Sequence, residues 1–117
     1  MSQVSVFKAS ERQFVHYVGD EKNPLQGEAK IARLVGKFNS SSMGAGVVDY
    51  GKLTVTWELP FDELITVIEG NMKIHSGGKV YDLVAGDLAW FPAATPLTYE
   101  VADRVVVSYA IYPIPAA

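Results

Sequence analysis

The chain has 117 residues and a formal net charge of −3, which suits one domain able to bury a core without staples. It has no cysteine, so disulfides and thiolate metal sites are excluded. No basic run gives the electrostatic footprint of a nucleic-acid binder, no apolar stretch reaches bilayer-spanning length, and the start, MSQVSVFKASERQF, has no apolar signal core; a cytoplasmic protein without nucleic-acid or membrane partners is the expectation.

In chain order, the most helix-like window is NPLQGEAKIARLVGKF, but Gly27 and Gly36 interrupt it, and a mid-helix glycine costs about 1 kcal/mol. AKIARLV therefore reads as a strand. The runs GVVDYG, KLTVTWEL, ELITVIEG, MKIHSGGKVYDLVAGD, LAWFP, LTYEV and RVVVSYAIY follow. SGGK reads as a hairpin turn, because glycine supplies positive φ, and AGD at 85–87 as a second tight turn. Pro92 and Pro96 close off LAWF. Short strands punctuated this often indicate an all-β sandwich or barrel.

Alternate residues of a strand face opposite sides. In KLTVTWEL, Leu53, Val55, Trp57 and Leu59 share an apolar face that must point inward, and Lys52, Thr54, Thr56 and Glu58 share the other. In ELITVIEG, Glu63, Ile65 and Val67 share one face, yet Leu64 and Ile68 make the other apolar too. A strand apolar on both faces is covered on both, and VVVSYAIY reads the same way. In a small barrel the second cover is another sheet or another subunit, so a homodimer is expected. Residues 1–117 form one domain in this reading, with 1–40 packing at a dimer interface and the barrel core at about 41–113.

Gly51, Glu63 and Gly70 match the spacing G-x5-H-x-H-x3,4-E-x6-G, with Trp57 and Leu59 in the histidine positions. Gly86 and Pro92 match G-x5-P-x-G-x2-H-x3-N, with Ala94, Leu97 and Val101 in place of its glycine, histidine and asparagine. The framework over residues 51–101 resembles the cupin superfamily, which implies an all-β jelly-roll barrel (a double-stranded β-helix). SSSMGAGVVDY, TWELPFDELITVIEG, AGDLAWFPA and the closing tyrosine-rich strand are similar to the cupin domain of the ethanolamine-utilisation protein Q family, whose members also lack the cupin histidines. That resemblance implies links to bacterial microcompartments and to acetate kinase activity. The chain has no G-x4-G-K-[ST] phosphate loop, and activity transfers less readily than fold.

Of the four usual cupin metal ligands only Glu63 survives, and a divalent metal needs three or four donors. No cofactor is expected; a rearranged site of Glu63 with Glu58 or Asp62 is the alternative, opposed by the outward parity of Glu58. Glu63 beside Trp57 is a carboxylate in apolar surroundings, which suits a general acid/base or a grip on a cationic ligand; the competing role is a buried group bonded to a tyrosine or backbone amide. Trp57 either stacks on a ligand or fills the space of the missing histidines. Tyr50, Tyr99, Tyr109 and Tyr112 lie on strands that converge in a jelly roll, where phenols orient ligands or merely favour strands. Glu63, Trp57, Tyr50, Tyr99 and Tyr109 form the candidate site. His75 is expected on the exterior; His16 lies where a strand pairs across a dimer; Asp62 and Asp87 are expected to accept turn N–H groups; Lys30 and Arg33 are placed at the barrel mouth as anion receivers. The function expected is metal-free binding of a small molecule in the barrel, with Glu63 as acid/base. A scaffold dimer and a metal-dependent enzyme are the alternatives.

Overall fold

The computed structural model describes residues 3–19, 25 and 27–114. Among these residues a one-turn 3-10 helix, Ala9–Glu11, is followed by nine strands: β1 (Val15–His16), β2 (Ala29–Val35), β3 (Gly44–Tyr50), β4 (Leu53–Glu58), β5 (Asp62–Ser76), β6 (Lys79–Val84), β7 (Leu88–Phe91), β8 (Pro96–Val101) and β9 (Val105–Tyr112). All pairings are antiparallel. One sheet runs β1-β2-β3-β9-β5-β7, and the other runs β4-β8-β5-β6. This is the expected jelly-roll barrel. No helix among the described residues is long and apolar enough to cross a membrane.

The alternation in LTVTWE is realised residue by residue. Leu53, Val55 and Trp57 are buried while Thr54, Thr56 and Glu58 are exposed. Their partners across the ladder, Val101, Tyr99 and Leu97, are buried as well, so β4 and β8 lay one continuous apolar face on the core. From the opposite sheet Ile31, Val48, Tyr50, Ile65, Val67, Val105 and Val107 meet it. β2, in the segment placed at a dimer interface by the sequence, thus also feeds the barrel core.

The runs ELITVIEG and MKIHS are one strand rather than two. β5 pairs with β7 and β9 through its first half and with β6 and β8 through its second. The register shifts between Val67 and Glu69, and Gly70 takes φ +79°. The bulge bends the strand from one sheet into the other without ending it. A side chain at Gly70 would run into the Arg104 carbonyl oxygen. Arg104 anchors the same corner: its Nε and Nη2 donate to Asp49 at 3.0 and 2.9 Å, and Nη1 donates to Glu69 at 2.7 Å. Asp49 is buried, and a buried carboxylate is tolerable only with such a charge-assisted pair.

The β7–β8 turn is tied to the segment leading into β5. The Ala93 N–H donates to Asp62 Oδ1 at 2.8 Å, and the Ala94 N–H donates to the Leu59 carbonyl at 2.7 Å. Asp62 therefore accepts a backbone N–H as expected, but from this neighbouring turn. Ala94 sits at φ +63°. The motif has glycine there, and the chain keeps the left-handed backbone while carrying a Cβ. That conformation costs a non-glycine residue roughly 1–2 kcal/mol, part of which the added chain entropy of glycine offsets. Ala94→Gly is expected to raise stability by about 0.5–1 kcal/mol in urea denaturation; a lower midpoint would show that the turn is unstrained.

Candidate functional site

The inward positions of β3 are Gly44, Gly46, Val48 and Tyr50 (partners of Ile111, Tyr109, Val107 and Val105). Two glycines leave the end of the barrel unfilled. A methyl group at Gly46 would meet the Tyr109 hydroxyl at 2.8 Å, and the Ala32 carbonyl more closely still. Tyr109 therefore leans into room that only glycine provides. A cavity of about 370 Å³ opens here, within the size range of small-molecule sites.

All five residues of the sequence-derived site line this cavity: Tyr50, Trp57, Glu63, Tyr99 and Tyr109. The strands that carry them differ, namely β3, β4, β5, β8 and β9. Tyr99 is the hub. It meets Tyr50 edge-on at 5.8 Å, Trp57 at 6.1 Å and Phe91 at 6.1 Å between centroids, arrangements favoured by ring quadrupoles. Trp57 is 3% exposed, and its Nε1 has no hydrogen-bond partner among the described residues. A buried donor left unpaired is unusual and calls for an explanation.

Glu63 is half-buried in the cavity wall. It makes no hydrogen bond or ion pair with any described residue. Burial pushes its carboxyl from 4.5 up to about 7, because desolvation disfavours the charged form. Burial also raises the phenols of Tyr50, Tyr99 and Tyr109, and the Glu63 charge adds to the rise in each, while Arg33 opposes it at Tyr109. These phenols stay protonated and remain donors at neutral pH.

Sequence reasoning missed Tyr17, which stacks on Trp57 at 6.4 Å with 21° between planes. It also missed Phe61, Lys37 and Phe38 at the rim. Arg33 lines the cavity as expected, with its guanidinium 5.8 Å over the Tyr17 ring. Lys30 does not reach it: one position out of phase with Ile31, it points to the other face and lies 5.7 Å over Phe14. Tyr112 is exposed on the outer surface and is not part of the wall. His75 is partly exposed and bonds Glu100 at 2.8 Å. His16 pairs Lys30 within the same chain, and Asp87 accepts the Val84 N–H in its turn as expected.

The cupin framework implies a metal, and the residues present do not fit one. Leu59 lines the cavity and Leu97 is buried core. Among the described residues no three His, Cys, Asp or Glu side chains converge. Imidazole and carboxylate donors are what such a site requires.

Known proteins agree with this fold. The chain is similar to a putative ethanolamine utilization protein Q from Salmonella typhimurium LT2 (TM-score 0.71, 21% identity, 90% of this chain and 98% of that one). It is similar to the EutQ protein of Clostridium difficile (TM-score 0.72, 24% identity, 97% and 83%). A predicted oxalate decarboxylase from Thermotoga maritima superposes at TM-score 0.75 with 16% identity, over 94% and 100% of the two chains. In sequence, the acetate kinase EutQ of Salmonella typhimurium is 26% identical over 110 residues, covering 94% of this chain and 46% of that protein. Its Clostridioides difficile counterpart is 28% identical over 74 residues, covering 63% and 47%. The chain thus spans about half the length of the curated relatives it matches. The model of the ethanolamine utilisation protein EutQ family matches residues 3–116. With two sheets joined by a bent β5 the chain has the cupin fold, and the match over residues 3–116 shows that it belongs to the ethanolamine utilisation protein EutQ family.

Proposed function

We propose that this chain is a small-molecule-binding cupin that works without a metal, with Glu63 as its principal polar contact and proton carrier. The observation that carries this reading is a carboxylate with no partner among the described residues in the wall of a cavity of about 370 Å³. A carboxyl held near 7 is poised for proton transfer at neutral pH. Tyr50, Tyr99 and Tyr109 supply phenol donors around it, and Trp57 supplies a flat wall. Phosphoryl transfer, the activity named for the relatives, finds less support, because the chain lacks a phosphate loop. The test is a fragment screen by NMR. Hits are expected to shift the Trp57 indole resonance and to lose affinity in Glu63→Gln while its spectrum stays folded. Hits that bind equally well to Glu63→Gln would remove Glu63 from the site.

A second reading concerns the outer surface. Leu64, Leu88, Trp90 and Tyr112 are between 41% and 61% exposed. Leu64 is the cross-strand partner of Trp90, and the stripe spans β7, β5 and β9. Asp62 beside it already accepts the Ala93 N–H. An exposed apolar row of this kind suits a contact between like surfaces about a two-fold axis. We propose that a second copy of the chain covers it.

A further inference from the structure

The cavity is lined by charges of both signs, Glu63 against Arg33 and Lys37. Glu63 and Arg33 both line it, yet neither forms an ion pair with any described residue. They also sit at different depths. Trp57, Tyr50 and Tyr99 are buried and form the floor with half-buried Glu63, while Arg33, Lys37 and Phe38 are exposed and form the mouth. The mouth is built: Asn39 Oδ1 accepts the Gly36 N–H at 2.9 Å, Asn39 Nδ2 donates to the Leu34 carbonyl at 2.9 Å, and the Ser40 N–H donates to the Gly36 carbonyl at 2.7 Å. This turn fixes where Lys37 projects.

Resting on the small-molecule reading above, we infer that the cavity takes a zwitterion, with its ammonium group inward at Glu63 among the aromatic rings and its anionic group outward at Arg33 and Lys37. A carboxylate flanked by Trp57, Tyr50 and Tyr99 offers an ammonium both a charge-assisted hydrogen bond and ring faces that attract cations. An ammonium has no acceptor and so pairs with a floor that holds a carboxylate; the phenols can turn their oxygens toward it. A guanidinium fork suits an oxyanion, and Arg33 is already oriented by Tyr17. A purely anionic ligand would bring its charge against Glu63 or leave Glu63 unmatched. A purely cationic one would leave Arg33 and Lys37 unmatched at the entrance.

Titration calorimetry with ω-amino acids from glycine to 6-aminohexanoate, the matching alkylamines, alkyl carboxylates and alkyl alcohols tests this. One chain length of the amino acids is expected to bind at least about 10-fold tighter than its amine, carboxylate or alcohol counterpart. Glu63→Gln is expected to lower that affinity about 10-fold or more, and Arg33→Gln to lower it while leaving the alkylamine unchanged. Binding should strengthen as pH rises from 6 to 8, since the ammonium needs ionised Glu63; the groups facing it are Tyr17, Tyr50, Tyr99, Tyr109, Arg33 and Lys37. Alcohols or carboxylates binding as well as the amino acids would overturn the inference and leave the binding role of the cavity standing. No binding by any of the four series would also overturn the inference, and the fragment screen then decides separately whether the cavity binds small molecules at all.

Discussion

Glu63→Gln is expected to leave stability unchanged near pH 4 and to raise it by about 2–3 kcal/mol at pH 8. The unfolded chain releases this proton near 4.5, and the folded chain releases it near 7 because the carboxyl is desolvated. Between those values the folded state holds a proton that the unfolded state has lost. Stability therefore falls as pH rises through this window, by about 1.4 kcal/mol per pH unit for a full proton difference. Below 4.5 the group costs nothing, and above about 7 the whole penalty is present. Glu63 is only half-buried, and solvent screening at such a group places the expected gain below the full product of window and slope. Glutamine keeps the shape and carries no titrating proton, so the difference between the two proteins isolates this group. Paired urea denaturation curves at pH 4, 6 and 8 give the answer. A constant difference across that range would mean that Glu63 is solvated in the folded chain. The same burden is the cost that the proposed role of Glu63 carries, since an apolar residue at 63 would fold more stably at neutral pH and leave the cavity without its carboxylate.

The inner wall of the site was legible because strand parity is a local rule. Trp57 and Tyr99 share their faces with Val55 and Leu97, and the register of β4 with β8 brings the two faces together. The separation of Lys30 from Arg33 follows the same rule: residues three apart on a strand point to opposite sides, so only one of them reaches the mouth. Tyr17 was not legible. It follows a strand of only two residues, too short for any period, and its place over Trp57 is set by a backbone bond, Tyr17 N–H to the Ala29 carbonyl, that no local pattern announces. The continuity of β5 was hidden for another reason. Gly70 at positive φ carries the chemistry of a turn, and only the ladder on both sides of it shows that the strand continues. Within the motif framework, Gly51, Glu63 and Gly70 keep the spacing while Trp57 and Leu59 stand in the histidine positions, because Gly70 serves the bend of β5 whatever side chains fill the barrel.

Trp90→Glu is expected to dissociate the dimer proposed above, with sedimentation equilibrium as the measurement. Leu64 and Ile68 make the first half of β5 apolar on its outer face, where each remains about two-fifths exposed in the single chain (41% and 42%). Trp90 lies directly across from Leu64, Leu88 lies across from Thr66, and Ala110 flanks Leu64 on the other side. An exposed apolar row of this kind marks an association surface, and tryptophan is the residue type whose loss such surfaces tolerate least, at about 2 kcal/mol or more. In an isologous interface each substitution counts twice. Two copies therefore cost about 4 kcal/mol, close to a thousandfold in the dimer dissociation constant. Val80→Glu is the control: Val80 is also exposed, but it lies on β6, which pairs with the second half of β5, away from the row. A dimer that survives Trp90→Glu and dissociates with Val80→Glu would move the interface to the other sheet, and a monomeric parent protein would dispose of it. Because Trp90 and Phe91 are consecutive, they point to opposite sides of β7; Phe91 is buried against Tyr99. Loss of the dimer with ligand affinity intact would show that the two faces of one strand carry separate tasks, and loss of both would couple the interface to the cavity through β7.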